Sequence, residues 1–184
     1  EAQRLSQNID RSFQGSVLVG MGFVLTPEEA AAEIEKRAAN ADVLFPYLSG
    51  DDVNSSPDQR ASRCAIDFRD AGLTECERKW PELLERVRHL VKPQRDQTRR
   101  AAHRRYWWQH GDKRPALYSK ISGRQEVFVI ARVTKYVAFV KVPAKQVFHD
   151  KVYVLDLPSW SSFAALQSSL HDAWCRRGSS TVGE

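Results

Sequence analysis

Apolar residues alternate with polar residues in three segments of the second half of the chain, namely 127–134, 136–143 and 146–158. A period of two is typical of strands that bury one face. Because the connections between these segments are short, they predict three strands of an antiparallel β meander. Two apolar segments in the first half, 42–50 and 64–68, predict further strand structure.

Residues 12–26 combine apolar side chains with three glycines, Gly15, Gly20 and Gly22. Glycine inside a strand marks a bend or a close approach of two backbones, so the segment predicts one strand, or two short strands bent by glycine. The stretch VGMGF within it is similar to part of a dinucleotide-binding loop. The third glycine of that motif is missing, and the glycine-bent strand is therefore the favoured interpretation.

A period of 3.6 residues predicts the helices. Thr26, Pro27 and Glu29 have the order of an N-cap, a first-turn proline and a capping-box acid. They predict a helix that runs to about Asn40. The polar residues 51–63 predict a loop.

Pro81 starts a second helix, and Pro93 breaks or kinks it and starts a third, which is predicted to reach about Trp108. A last amphipathic helix is predicted over 159–177, before Gly178 as a C-terminal stop. Its inward side chains are expected to be Phe163, Leu166, Leu170 and Trp174.

The length of 184 residues is that of one ordinary domain. Strands and helices that occur in separate runs, without βαβ alternation, predict an α+β fold. We expect an antiparallel β meander with flanking helices in a single domain that spans residues 12–178. Residues 1–11 are expected to be a linker or tail, and residues 179–184 a second tail.

Other features of the sequence bear on the cellular location of the protein and on its cysteine chemistry. No run of eighteen apolar residues occurs, which excludes a helix that spans a membrane. The chain begins at Glu1 with no leader pattern, so we expect a fragment of a longer cytoplasmic protein. The three cysteines, Cys64, Cys76 and Cys175, lack CxxC spacing and an even count, which argues against a disulfide framework or a zinc site.

Positive charge is concentrated between Arg86 and Arg114. This segment holds ten Lys or Arg residues and two acids, whereas the whole chain has a net charge of +5. It also contains the aromatic block Tyr106-Trp107-Trp108. A basic segment of this kind predicts a surface that binds a polyanion such as DNA, although a solvated helix face followed by an aromatic core anchor has the same pattern.

Two further cations lie around the end of a predicted strand, in the stretch ARVTKY. Lys and Arg that contact phosphates position a protein on DNA, and side chains that reach the groove edges read its sequence. The complete set of candidate DNA contacts is Arg95, Arg99, Arg100, Arg104, Arg105, Lys113, Arg114, Arg132 and Lys135.

No catalytic or metal-binding constellation emerges from the sequence. Asp58 and the later Glu77-Arg78-Lys79 have the residue types of a metal-dependent nuclease, but they fall in a polar loop and before a helix rather than on converging strands. The five histidines lack HExxH or similar spacing, and neither a P-loop nor a nucleophile elbow occurs. We therefore predict no catalytic residue and no metal ligand.

An ordered series of motifs resembles a known family. The series is SFQGSVLVGMGFVLTPEEA, NADVLFPYLSGDDVN, VRHLVKPQRD, YWWQHGDKRPALY, RVTKYVAFVKVP and LQSSLHDAW. It is similar to the target-recognition domain of large single-chain DNA adenine methyltransferases, the fused restriction–modification type that includes MmeI-like and Eco57I-like enzymes. The similarity extends from Phe13 to Trp174.

The resemblance implies a DNA-binding specificity module that follows a catalytic domain, in which the methylated adenine is flipped out of the duplex. The implied partners are double-stranded DNA and the methyltransferase domain of the parent chain. S-adenosylmethionine would bind that catalytic domain and not this segment, because the family's Asn-Pro-Pro-Tyr/Phe motif and glycine-rich cofactor loop do not occur here. The resemblance also makes Arg132 and Lys135 candidates for DNA contact.

Two other classes of protein remain possible interpretations of the sequence. A protein-interaction or structural domain of a large enzyme would use the basic segment to meet an acidic partner. An independent nuclease would need Asp58 and Glu77 to act together on a metal ion.

Overall fold

The eight strands of the computed structural model, which describes residues 10–157 and 159–178, form two four-stranded sheets. The strands are β1 (Ser12–Gln14), β2 (Val24–Leu25), β3 (Leu44–Leu48), β4 (Arg63–Ile66), β5 (Glu126–Ala131), β6 (Val140–Pro143), β7 (Val147–Phe148) and β8 (Val152–Leu155). The first sheet has the order β1-β8-β5-β6, and the second has the order β2-β4-β3-β7.

The described residues also contain nine α-helices. They are α1 (Pro27–Lys36), α2 (Gly50–Ser55), α3 (Leu73–Lys79), α4 (Pro81–Leu90), α5 (Lys92–Asp96), α6 (Ala101–Arg105), α7 (Pro115–Ile121), α8 (Trp160–Leu166) and α9 (Ser169–Gly178). Short 3-10 turns occupy Met21–Phe23 and Ala38–Asp42. Within residues 10–157 and 159–178, no helix has the length and apolar content needed to cross a membrane.

The α+β class predicted from the sequence is confirmed, but the third predicted strand of the meander is divided between the two sheets. Its first part, β7, pairs in parallel with β3, so that Tyr47 lies opposite Val147. Its second part, β8, lies antiparallel between β1 and β5. The backbone turns between them, where the amide of Val152 donates to the carbonyl oxygen of His149 over 2.9 Å.

Each sheet has its own hydrophobic core. The core of the second sheet includes Phe23, Leu83 and Val147, and the core of the first includes Val129 and Phe148. Adjacent side chains of a strand point to opposite faces. β7 therefore joins the two cores, because its two residues are buried in different ones.

The start of α1 has the predicted capping box. The Thr26 hydroxyl accepts a hydrogen bond from the Glu29 amide over 3.2 Å, and the Thr26 amide donates to the Glu29 carboxylate over 2.9 Å. The helix ends at Lys36, before the predicted Asn40, because Arg37 adopts an extended conformation. Asn40 is buried instead in the following turn, and its amide donates to the Glu33 carbonyl oxygen.

Four sequence expectations about local structure are wrong. The third helix, predicted to reach about Trp108, is two short helices, because residues 97–100 separate α5 from α6 and α6 ends at Arg105. Residues 51–63 are not only a loop, because α2 begins at a second capping box, formed by Ser49 and Asp52. The last helical region consists of two helices, since Gln167 and Ser168 interrupt it. The apolar stripe of α8 therefore does not continue into α9, and Leu170 and Trp174 are 82% and 71% exposed rather than inward.

The VGMGF stretch is a tight packing turn rather than a strand or a cofactor loop. A Cβ atom on Gly22 would lie 2.5 Å from the Leu90 Cβ, and one on Gly20 would lie 2.8 Å from a Val91 methyl group. Gly20 also has a φ of 141°, a conformation that L-residues with side chains rarely adopt. The glycines therefore allow the backbone to contact the end of α4. The predicted tails at 1–11 and 179–184 lie almost entirely outside the described residues.

Candidate nucleic-acid interface

The ten cations between Arg86 and Arg114 do not form one uniform surface. Half of them pair with carboxylates, two of which are distant in the sequence. The pairs are Arg86–Glu29 at 3.5 Å, Arg88–Glu85 at 2.8 Å, Lys92–Asp96 at 2.6 Å, Lys113–Asp70 at 2.5 Å and Arg114–Asp112 at 3.1 Å. A paired cation contributes less to the attraction of a polyanion, because its partner cancels its field. The effective basic surface is therefore smaller than the segment.

Arg95 is a correction to the candidate set, because its side chain is only 1% exposed. Its guanidinium donates to the carbonyl oxygens of Leu18 at 2.5 Å, Val19 at 3.0 Å, Tyr106 at 3.2 Å and Gln109 at 2.6 Å. Burial lowers its pKa to about 10, which leaves it protonated at neutral pH. Arg95 thus fastens two loops together in the interior and cannot reach a phosphate.

Arg99, Arg100, Arg104 and Arg105 are the part of the segment that is available to a partner. All four are exposed, and none forms an ion pair with a carboxylate of residues 10–157 or 159–178. We call these four residues the α6 cluster. Arg104 donates to the Thr98 carbonyl oxygen, and the Arg105 guanidinium lies 5.4 Å from the ring of Tyr106, which is exposed. The cluster places four free positive charges within seven consecutive residues.

The two tryptophans of the aromatic block belong to the core. Trp107 and Trp108 are buried, and the indole N–H of Trp108 donates to the Ala71 carbonyl oxygen over 3.0 Å. Trp107 lies 5.5 Å from the guanidinium of Arg88. Of the block, only Tyr106 is exposed beside the α6 cluster.

Lys113 and Arg114 are half-buried and partly committed to the fold. The Lys113 ammonium contacts Gln109 over 3.0 Å in addition to its pairing with Asp70. Arg114 has a left-handed backbone with a φ of 50°, and its guanidinium donates to the Gly15 carbonyl oxygen and the Gln14 side chain. A contact between either residue and DNA would compete with these bonds.

Three adjoining pockets form a groove that begins at Ala102 of α6, although none of the four arginines of the α6 cluster lines it. Its first part is lined by Ala102, Tyr106 and Lys113. Lys113 also lines the next part, a cavity of about 410 Å³ that reaches Arg69 and Tyr118. Arg69 and Tyr118 in turn line the last part, together with Arg124, Lys145 and Gln146. The groove therefore runs from α6 to Arg124 with both polar and apolar walls, and Asp67 and Asp70 are among its lining residues.

Arg69, which sequence analysis missed, is held in place in this groove. Its guanidinium lies 4.7 Å from the Phe45 ring and 5.4 Å from the Tyr118 ring, and 3.7 Å from the Asp67 carboxylate. Its backbone has a φ of 55°. One sequence signal could have identified Arg69 as a candidate. It is a charged residue that comes directly after the apolar segment 64–68.

Arg132 and Lys135 lie on a separate surface, in the loop after β5. The Arg132 amide donates to the Lys151 carbonyl oxygen over 2.7 Å, and the Asn54 amide donates to the Val133 carbonyl oxygen over 2.9 Å. Lys135 lies 5.4 Å from the exposed ring of Tyr136. Because the groove ends at Arg124, before the start of β5, this loop lies at the opposite end of that strand.

The residues with nuclease-like chemistry are engaged in surface ion pairs. The Asp58 carboxylate lies 3.3 Å from Arg60, and the Glu77 carboxylate lies 3.2 Å from Arg88. In the part of the chain that the structure describes, no group of three or more His, Cys, Asp or Glu side chains is placed to hold a metal ion. The described residues therefore give no support to the nuclease interpretation.

Comparisons with known proteins bear on the fold. No protein-family model matches the chain, and no curated protein matches it. Among solved structures, it has the fold of a segment of a restriction-modification enzyme. That structure is described as the type IIL enzyme MmeI in complex with DNA, and the match has 14% identity and a TM-score of 0.73. It covers 94% of this chain but 22% of the enzyme, so the chain spans about a fifth of that protein.

Proposed function

We propose that this chain is a sequence-specific DNA-binding domain, the target-recognition module of a DNA N6-adenine methyltransferase of the restriction–modification type. The observation that carries the proposal is the α6 cluster, four exposed arginines that no carboxylate of the described residues neutralises. The fold shared with a segment of MmeI, whose structure is described with DNA, supports the same role. Methylation, and any cleavage, would belong to other parts of a longer parent.

The proposed mechanism divides the work between the two basic surfaces. The α6 cluster binds phosphates, because guanidinium groups match phosphate oxygens in pairs and remain charged at all physiological pH values. The loop that carries Arg132 and Lys135 approaches the base edges, where Arg pairs with guanine and Asn or Gln with adenine. S-adenosylmethionine would be held by the parent's catalytic domain.

The test measures binding of the chain to a labelled random-sequence duplex by fluorescence anisotropy between about 50 and 200 mM salt. Six phosphate contacts predict a slope of about −5 in a plot of log K against log salt, or roughly a 10³-fold loss of affinity over this range. No binding at the lowest salt concentration would contradict the proposal.

The variant Arg99→Glu with Arg100→Glu is expected to weaken duplex binding strongly and to flatten the salt dependence by about 2 units. Its matched control is Arg11→Glu with Arg78→Glu, which makes the same change in net charge at two exposed cations outside both basic surfaces. Equal losses of affinity in both variants would show that only the net charge of the protein matters. They would contradict a specific role of the α6 cluster.

A second candidate is a protein-interaction domain, which the exposed Leu170 and Trp174 on α9 favour. Large apolar side chains that remain exposed often mark contact sites for other proteins. The two candidates differ in one result, because in an interaction domain the reversal of Arg99 and Arg100 would weaken duplex binding no more than the control reversal of Arg11 and Arg78.

A further inference from the structure

We infer that Arg63 and Lys151 form one patch with Arg132 and Lys135, in which Arg63 and Lys151 bind phosphates beside the loop proposed to approach the base edges, which makes them further DNA contacts. The inference rests on the proposed function and deepens it, because it adds contacts to the DNA backbone next to the loop after β5. Arg63, Arg132 and Lys151 come from three segments that are distant in the sequence.

Lys151 is fixed beside Arg132 by the backbone. The carbonyl oxygen of Lys151 accepts the hydrogen bond from the Arg132 amide over 2.7 Å. The first residue of α2 packs against the same turn, since a Cβ atom on Gly50 would lie 3.3 Å from the Lys151 carbonyl oxygen and 3.8 Å from the Ala131 Cβ. The turn, the start of α2 and the end of β5 therefore form one rigid junction.

Arg63 reaches the same junction through two rings. It lies opposite Tyr47 in the second sheet, with its guanidinium 5.6 Å from the Tyr47 ring. The Tyr47 ring lies 5.5 Å from the ring of His149, whose Nδ1 accepts a hydrogen bond from the Lys151 amide over 3.0 Å. A chain of direct contacts thus connects Arg63 to Lys151 and Arg132.

The charge of this patch is not balanced by the described residues. None of Arg63, Arg132, Lys135 and Lys151 forms an ion pair with a carboxylate of residues 10–157 or 159–178. Of the acids near the patch, the carboxylate of Asp150 lies 2.8 Å from the His149 ring, and Asp51 and Asp52 lie in the first turn of α2. Asp52 is buried and accepts a hydrogen bond from the Ser62 amide, next to Arg63. Four cations and three acids leave a small excess of positive charge.

Unpaired like charges that are held together repel one another, so an anion that binds among them gains from all of them. Arg63 suits this role because its stacking on Tyr47 has already restricted its side chain, and less conformational entropy is lost on binding. A DNA backbone fits the patch because its phosphates recur at short intervals and carry one charge each. The side chain of Asn54 donates a hydrogen bond to the Val133 carbonyl oxygen and so fixes the loop next to the patch.

The test uses the whole chain with the variant Arg63→Gln and Lys151→Gln on a labelled random-sequence duplex. Loss of two phosphate contacts predicts a log–log salt slope that is about 2 units shallower than that of the unchanged protein, with weaker binding at 50 mM salt. The matched control, Arg11→Gln with Arg78→Gln, neutralises two exposed cations elsewhere and is expected to keep the slope.

A charge-preserving variant, Arg63→Lys with Lys151→Arg, separates charge from packing and is expected to retain the slope. An unchanged slope in the Gln variant, while the unchanged protein binds, would overturn this inference and leave the proposed function standing. A loss of slope in the charge-preserving variant as well would assign the effect to folding and also overturn it. Failure of the unchanged protein to bind at 50 mM would overturn the proposed function and this inference together.

Discussion

Arg95 continues a buried stripe that runs along α4 and α5 at intervals of four residues. The stripe consists of Leu83, Val87, Val91 and Arg95. Residues four apart lie on the same face of a helix, so the position of Arg95 in the stripe was visible in the sequence. Arg95 was nevertheless predicted to contact DNA, because basic residues occur on both sides of it and all of them were expected to be exposed to solvent.

We expect Arg95→Met to lower the free energy of unfolding by roughly 3 kcal/mol or more, because several buried carbonyl oxygens lose their donor. Urea denaturation measures the change. Arg99→Met is the matched control, since Arg99 is exposed and its replacement should alter stability by less than about 0.5 kcal/mol. Equal stabilities of the two variants would contradict the structural role of Arg95.

At the scale of elements, the sequence predicted structure that depends on contacts between nearby residues. It did not predict structure that depends on contacts between residues far apart in the chain. The start of α1 followed from Thr26 and Glu29, because the capping box is a contact between residues three apart. The division of the third predicted strand could not be derived in this way. The three residues 146–148 are all buried, which breaks the alternation, and the partner of this segment is β3, some hundred residues earlier.

The contact between the 21–23 turn and α4 provides a prediction at this scale. Gly22→Ala places a Cβ atom 2.5 Å from the Leu90 Cβ, so the turn and the helix must move apart. We expect a destabilisation of about 1–3 kcal/mol, measured by thermal or urea unfolding. Gly72→Ala is the control, because nothing lies within 4 Å of a Cβ atom there. A Gly22→Ala protein as stable as this control would show that the turn tolerates the displacement.

At the scale of the whole molecule, the sequence located the excess of charge but not its distribution. Pairing partners such as Glu29 and Asp70 lie far from the basic segment in the sequence, and only the fold brings them to it. The groove at Arg69 and the patch at Arg63 depend in the same way on which strands become neighbours. Residue types therefore indicated a polyanion partner and two groups of cations, whereas the structure was required to show which of these cations remain exposed and unpaired.

The histidines make the stability of the whole molecule depend on pH. Burial lowers the pKa of His103, His110 and His149 below the ordinary value of 6.5. The unfolded chain therefore binds protons more readily, so the stability that these groups contribute is complete above pH 6.5 and declines as the pH falls below it. Each histidine adds at most about 1.4 kcal/mol per pH unit.

We expect the free energy of unfolding, measured by urea denaturation, to fall between about pH 6.5 and pH 5, where histidine titrates before most carboxylates do. The variant His110→Gln should show a smaller decline than the unchanged protein over this range, because the ring of His110 is buried against the Ile66 carbonyl oxygen. A stability that does not change from pH 6.5 to pH 5 would contradict the expectation.

The pairing of β1 with β8 also orders events during synthesis. The side chain of Gln14 donates to the carbonyl oxygen of Asp150, 136 residues later. A ribosome that adds about 5–20 residues per second needs roughly 7–27 s to make that interval. β2, β3 and β4 can pair in the meantime, whereas β1 waits for β8. The first sheet is therefore completed late, and the nascent chain exposes Phe13 throughout that delay.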